Sequence, residues 1–110
     1  MVTIDYIQLF DDTIAPGGHV QSTTFPCATA RAVQVTLATG PLSRDVEWRV
    51  LFGPLPNGGF GAARSGTFEQ FNHLGIEVPV FGPQVMVIVE NRGAAPFPMV
   101  GMLRIVHEFE

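Results

Sequence analysis

Lysine is absent from this sequence, and charged side chains of both signs are scarce. The 110 residues include six arginines and ten acidic residues, 15% charged in all, with a net charge of −4. Without a side-chain amine, Schiff-base chemistry and a phosphate-loop lysine are excluded. The acidic balance argues against nucleic acid as a partner. Because ordinary domains are roughly 25% charged, we expect a partner to cover part of this surface.

Cysteine occurs once, at Cys27, so no disulfide can form within the chain. No apolar run approaches the roughly 20 residues that span a bilayer, and membrane insertion is therefore not expected. The first ten residues contain Asp5 and no basic segment, unlike a secretory signal peptide. These features predict synthesis in the cytoplasm without a signal peptide, with a virion or other assembled particle as a further location.

Helical periodicity is also missing, and 12 glycines and nine prolines punctuate the chain. Short β-type runs recur instead, each followed by a turn signal. They lie near 3–10, 19–26, 31–39, 45–52, 60–69, 74–81, 84–91 and 97–109. The pattern predicts an all-β chain, a single-domain antiparallel β-sandwich over 1–110 with about eight strands, for which a jelly roll is one arrangement. Asn57-Gly58-Gly59 is the strongest tight-turn signal.

Two Phe-Gly-Pro stretches, 52–54 and 81–83, raise the question of an internal repeat. When they are superposed the match fails within a few residues, where Trp48 aligns with Glu77. A true repeat keeps its period over a whole structural unit. Since proline has no N–H to donate to a sheet, we interpret both stretches as strand ends within one sandwich.

Most predicted strands have one polar face, but the last two do not. In 45–52, Val46, Trp48 and Val50 alternate with Glu47 and Arg49, which is typical of a strand with one solvated side. The runs 84–91 and 97–109 are apolar on both faces, and we predict that they form a hairpin. The outward side chains of that hairpin are predicted to form an interface: Met86, Ile88, Val100, Met102 and Val106. Segment 53–73, another subunit or a ligand could cover them.

Catalytic and metal-binding motifs are not evident. His19, His73 and His107 are too far apart in sequence for a zinc motif, and Cys27 has no neighbouring base to form a thiolate. Four glutamates could converge only through the fold, and nothing singles out a pair. The sequence therefore predicts no catalytic residue, metal or cofactor.

The function predicted from these observations is non-enzymatic assembly. The chain would form a homo-oligomer or pack on a larger protein shell or fibre, as a virion-type subunit or a decoration protein does. The alternative is a carbohydrate- or small-ligand-binding β-sandwich module. Its candidate binding residues are the aromatic side chains of Trp48, Phe60, Phe68 and Phe71. Fold class alone does not choose between these functions.

Overall fold

A computed structural model describes residues 1–108, which contain nine strands and no helix. The strands are β1 (Val2–Ile14), β2 (His19–Gln21), β3 (Phe25–Pro26), β4 (Ala30–Thr39), β5 (Ser43–Gly53), β6 (Gly61–Phe68), β7 (His73–Pro79), β8 (Gln84–Asn91) and β9 (Phe97–Glu108). Residue 109 of the predicted last strand lies outside the described residues. Within those residues there is consequently no helix long and apolar enough to span a bilayer.

The strands form two antiparallel sheets, which confirms the predicted β-sandwich. The first sheet has the order β1-β9-β4-β7, and the second has the order β2-β8-β5-β6, with β3 also paired to β8. The predicted hairpin of the last two strands is wrong, because β8 lies in the second sheet and β9 in the first. Both strands are apolar on the inner side, and placing them in opposite sheets lets those inner sides meet across one core.

The core lies between the sheets and follows the period-two alternation of the sequence. On β4, β5, β8 and β9 alternate residues are buried. They are Val33, Val35, Leu37, Val46, Trp48, Val50, Phe52, Val85, Val87, Val89, Met99, Leu103 and Ile105. Burying a Val, Leu, Ile or Phe side chain of this set stabilises the fold by roughly 1.5–3 kcal/mol. Trp48 is thus a core residue, as its position on the apolar face of its strand indicated.

Strand β1 is longer than the sequence pattern predicted. Asp11 and Asp12 read as the start of a turn, but they continue β1 and pair with Val100 and Met99 of β9. Both aspartates are exposed because β1 is an edge strand. A bulge before Phe10 brings its ring over Gly101. A Cβ on Gly101 would lie 2.9 Å from Leu37 Cδ2 and 3.0 Å from Phe10 Cδ2, so a larger residue there would displace these side chains.

Both Phe-Gly-Pro stretches lie at strand ends, and they meet at the same end of the sandwich. The ring centroids of Phe52 and Phe81 are 5.9 Å apart in an edge-to-face arrangement. Between β5 and β6 the predicted tight turn is present, with Gly58 at a φ of 84° and Gly59 N donating to Asn57 Oδ1 at 2.9 Å.

Candidate assembly surface

Exposed apolar side chains are concentrated on the outer face of the first sheet, along β1 and β9. We call this set the β1–β9 stripe, and its members are 38–65% exposed: Val2, Ile4, Tyr6, Val100 and Met102. In the register of β1 against β9, Tyr6 lies beside Arg104 and Met102 lies beside Gln8, so the stripe runs along both strands with polar side chains between its apolar members. A cluster of exposed apolar side chains on one face marks an interaction site more often than ordinary surface does.

Strand alternation explains why these side chains face outward. On β9, Met99, Leu103 and Ile105 fill the core, so Val100 and Met102 must point away from it. Val2, Ile4 and Tyr6 recur at every second position of β1 and share one side of that strand. The sequence pattern thus builds a core on one side of the first sheet and a second apolar surface on the other.

One polar row crosses the stripe. The guanidinium carbon of Arg104 lies 5.7 Å from the centroid of the Tyr6 ring. Further along the row, Gln34 Nε2 donates to Glu77 Oε1 at 3.2 Å. An exposed cation–π contact contributes roughly 0.5–1 kcal/mol, which helps to hold the Tyr6 ring against the sheet surface. The row adds directional groups to a surface that is otherwise apolar.

The β1 strand also presents an open sheet edge beside the stripe. Its backbone ladder is to β9 alone among the described strands. The other edge leaves alternate N–H and C=O groups without a strand partner, and such an edge is a template for pairing with another chain. Neither proline nor lysine, which often protect natural edges, occurs in β1.

The outer face of the second sheet has the opposite character. Arg49 Nη2 lies 3.0 Å from Glu90 Oε2, and Arg92 Nε lies 3.1 Å from Glu90 Oε1. Glu47 Oε1 lies 3.3 Å from Arg49 Nε and 3.7 Å from Arg92 Nη2, so its carboxylate forms ion pairs with the same two arginines. The pKa of the Glu90 carboxyl is lowered, mainly by the hydrogen bond from Arg92. The charges of Arg92, Arg49 and His19 lower it further. This face is solvated and charged, unlike the stripe.

The five interface residues predicted from sequence do not form one surface. Val100 and Met102 belong to the stripe. Val106 faces the same way but is 3% exposed, because Ile4 and Ala32 flank it on the neighbouring strands. Met86 and Ile88 lie on the outer face of the second sheet, where they are half-buried. The error follows from the wrong hairpin, which placed β8 beside β9.

Three members of the stripe were not predicted from the sequence: Val2, Ile4 and Tyr6. Their alternation in "MVTIDYIQLF" was visible, but it matched the pattern of a strand whose apolar side faces the core. Only the register with β9 shows that this side faces outward at the start of β1.

Segment 53–73 does not cover the stripe. Its central part, 61–68, is strand β6 at the edge of the second sheet, paired to β5. The flanking turns connect β6 to β5 and β7. The prediction that segment 53–73 could cover the outward apolar side chains is therefore wrong for the stripe.

The aromatic residues considered for ligand binding are mostly unavailable. Trp48 is 6% exposed and Phe68 is fully buried, so neither offers a ring face to a ligand, and that part of the hypothesis is wrong. Phe60 is half-buried and packs close to Gly53. Phe71 is 67% exposed, in the turn between β6 and β7. These four side chains form no common platform.

Cys27 has the structural role expected of a small buried side chain. It is 1% exposed, and its thiol donates to Gly82 O at 3.2 Å. Burial raises the pKa of the thiol, which disfavours the nucleophilic thiolate. Within residues 1–108, no three His, Cys, Asp or Glu side chains are grouped so as to hold a metal ion.

Asn91, at the end of the predicted strand 84–91, is a buried polar residue that was not singled out from the sequence. Its Nδ2 donates to Ile14 O at 3.0 Å and to Ala95 O at 2.9 Å, and its Oδ1 accepts from Gly93 N at 2.9 Å. These bonds tie the end of β1 to the β8–β9 connection. The available signal was the Asn-x-Gly spacing typical of a side-chain-to-backbone turn.

Comparison with known proteins identifies the fold. No family model matches the sequence, and no curated protein matches it. A chain from the structure of Bacillus endospore appendages, described as a family of disulfide-linked pili, aligns with a TM-score of 0.65 and 12% identity over 99% of this chain and 89% of that one. The Yersinia pseudotuberculosis-derived mitogen aligns with a TM-score of 0.59 and 13% identity, over 100% and 91%. At these identities the likeness shows a shared β-sandwich fold.

Proposed function

We propose that this protein is a non-enzymatic structural subunit that assembles with further copies of itself through the β1–β9 stripe, as a virion-type or fibre subunit does. The observation that most directly supports this proposal is the contrast between the outer faces of the two sheets. One face bears a network of ion pairs, whereas the other bears five exposed apolar side chains next to an open edge. Interfaces in permanent complexes are richer in apolar surface than those in transient complexes.

The strand orders support this proposal at the level of fold. With β2 and β3 taken as one interrupted strand, β1-β9-β4-β7 against β2-β8-β5-β6 is the order of an eight-stranded jelly roll. Jelly rolls recur in viral capsids, and the similar Bacillus chain belongs to pili. The similar mitogen shows that this fold also has other uses, so the proposal depends on the stripe and not on the fold.

The test is the native mass in solution, measured by light scattering at micromolar concentration. We expect particles larger than the 11.9 kDa chain. Val100→Glu combined with Met102→Glu should yield monomers with an unchanged circular dichroism spectrum. The control, Leu42→Glu with Phe71→Glu, makes the same charge change at exposed turn residues that are 56% and 67% accessible, and it should leave the mass unchanged.

Two results would count against self-assembly. One is a wild-type chain that remains monomeric throughout the concentration series. The other is an assembly that persists in the folded double variant of the stripe, since two new carboxylates at the centre of an apolar interface must be strongly unfavourable.

A further inference from the structure

We infer that copies are joined by the open edge of β1 in one copy pairing with the open edge of β6 in the next. This inference rests on the proposed self-assembly and adds to the stripe contact a main-chain joint at the edge beside it. The two edges belong to opposite sheets, so each joint would extend the first sheet of one copy into the second sheet of its neighbour. Main-chain hydrogen bonds would supply the pairing, as in other cases of strand addition.

The other two edges are poorly suited to pairing. At one of them β2 and β3 have three and two residues and are separated by 22–24. At the other, β7 ends in Pro79, which has no N–H to donate. Short strands and prolines are among the devices that protect natural edges. By contrast, β1 has 13 residues, β6 has eight, and neither contains proline.

Charge distinguishes the β1–β6 joint from a symmetric β1–β1 joint. Strand β1 carries Asp5, Asp11 and Asp12 and no cation, whereas β6 carries Arg64 and no acidic residue. An antiparallel β1–β1 pair about an axis at Gln8 would set Asp5 opposite the partner's Asp11. Like charges directly opposite each other destabilise a sheet, and opposite charges stabilise it.

The charged groups at this joint are available for pairing. Asp5 lies 3.1 Å from His107 Nε2, but Asp11 and Asp12 make no ion pair among residues 1–108. Arg64 likewise makes none there, although Arg31, Arg49 and Arg92 all do. Arg64 in one copy can therefore pair with Asp11 and Asp12 in the next, because none of the three forms an ion pair among residues 1–108.

Side-chain size is complementary as well. Five residues of β6 are small, Gly61, Ala62, Ala63, Ser65 and Gly66, and they allow a bulkier strand to approach closely. The start of β6 lines an open apolar hollow of about 340 Å³, together with Phe52, Leu55 and Phe81. One large apolar side chain of β1, such as Tyr6, would fit a hollow of this size.

A joint between two different edges has a structural consequence. A copy whose β1 edge is paired with one neighbour still has a free β6 edge that can pair with another neighbour. Such heterologous contacts generate a closed ring or an open fibre and do not stop at a dimer.

A charge-swap complementation experiment tests this arrangement. Arg64→Glu makes both edges acidic, and Asp11→Arg with Asp12→Arg makes both edges basic. Each variant alone should assemble at least about tenfold more weakly than wild type, because like charges then meet at every joint. A mixture of the two should restore assembly, because each acidic edge then meets a basic one. Arg44→Glu is the matched control on an exposed arginine outside the edges, and it should assemble like wild type.

The outcomes separate this inference from the function on which it rests. A monomeric wild-type chain overturns both. Wild-type particles that persist unchanged in Arg64→Glu leave self-assembly standing and overturn the β1–β6 joint. Weak assembly of both variants without rescue in the mixture also overturns it. Circular dichroism and thermal unfolding of each variant establish that it is folded before its mass is compared.

Discussion

The Cα of Gly82 lies against the backbone of Gly53, so that a Cβ added to Gly82 would be 3.1 Å from Gly53 N and 3.3 Å from Gly53 O. The two Phe-Gly-Pro stretches are thus packed on each other, and this contact depends on the absence of a side chain at Gly82. Gly53 is still more restricted, since a Cβ there would lie 2.9 Å from Gly59 O.

We expect Gly82→Ala to lower the free energy of unfolding by about 1–3 kcal/mol, because backbone must move to admit the methyl group. Gly53→Ala should be at least as destabilising. Gly40→Ala serves as the control, since a Cβ at Gly40 would meet no atom within 4 Å. Urea unfolding monitored by Trp48 fluorescence measures all three. Equal stability of the Gly40 and Gly82 variants would contradict the close packing of the two stretches.

Trp48 and Gly66 form a second pair of this kind. The Trp48 ring covers Gly66 so closely that a Cβ on Gly66 would lie 2.7 Å from Trp48 Cζ2. Gly66→Ala should therefore destabilise the fold by about 1–3 kcal/mol. In a Trp48→Leu background the same change should have a much smaller effect, and the double-mutant cycle gives the coupling. Gly75→Ala, on the edge strand β7 with only Thr36 Oγ1 at 3.9 Å, should be nearly neutral. Additive effects at positions 48 and 66 would show that the ring does not block the methyl group.

The Cys27 thiol should be unreactive in the folded protein. Its burial and its raised pKa both reduce the thiolate available at pH 8. Labelling with a thiol-specific disulfide reagent should be at least about a hundredfold slower in native protein than in guanidinium, because it requires opening of the structure. Labelling of the native protein at the rate seen in denaturant would place the thiol at the surface.

The stability contributed by Glu90 should depend on pH. Its pKa is lowered in the folded state, chiefly by the hydrogen bond from Arg92, so folding favours the carboxylate. This contribution is complete above the pKa of the unfolded chain and is lost as the pH falls through the folded pKa. The difference in thermal midpoint between wild type and Glu90→Gln should therefore be largest near neutral pH and shrink in acid. A difference in thermal midpoint that does not change with pH would contradict this account.

Much of the fold was accessible from sequence because strand alternation is a local property. Inner residues such as Val46, Trp48 and Val50 were correctly separated from Glu47 and Arg49. The pairing of strands was not accessible, because it depends on contacts between residues far apart in the chain. That is why β8 and β9 were placed together, and why Met86 was grouped with Met102 although they lie on opposite outer faces.

The candidate surface was recovered in part for the same reason. Val100 and Met102 stood out because both sides of β9 are apolar, and one side had to face outward. Val2, Ile4 and Tyr6 could be assigned to that surface only once β1 was known to lie beside β9. The burial of Phe68 could not be read in the same way, because a strand was predicted near 60–69 but only its pairing with β5 shows where it lies in the second sheet.

The position of β9 between β1 and β4 also governs how the chain can fold. The β1–β9 ladder joins Val2 to Glu108, and β9 is synthesised after the other eight strands. Until β9 emerges, β1 has no neighbour in its own sheet and exposes both edges and its apolar outer side chains. Because such distant pairings slow folding, a nascent chain is vulnerable to aggregation over that interval, and a holding chaperone that masks β1 would improve the yield of native protein.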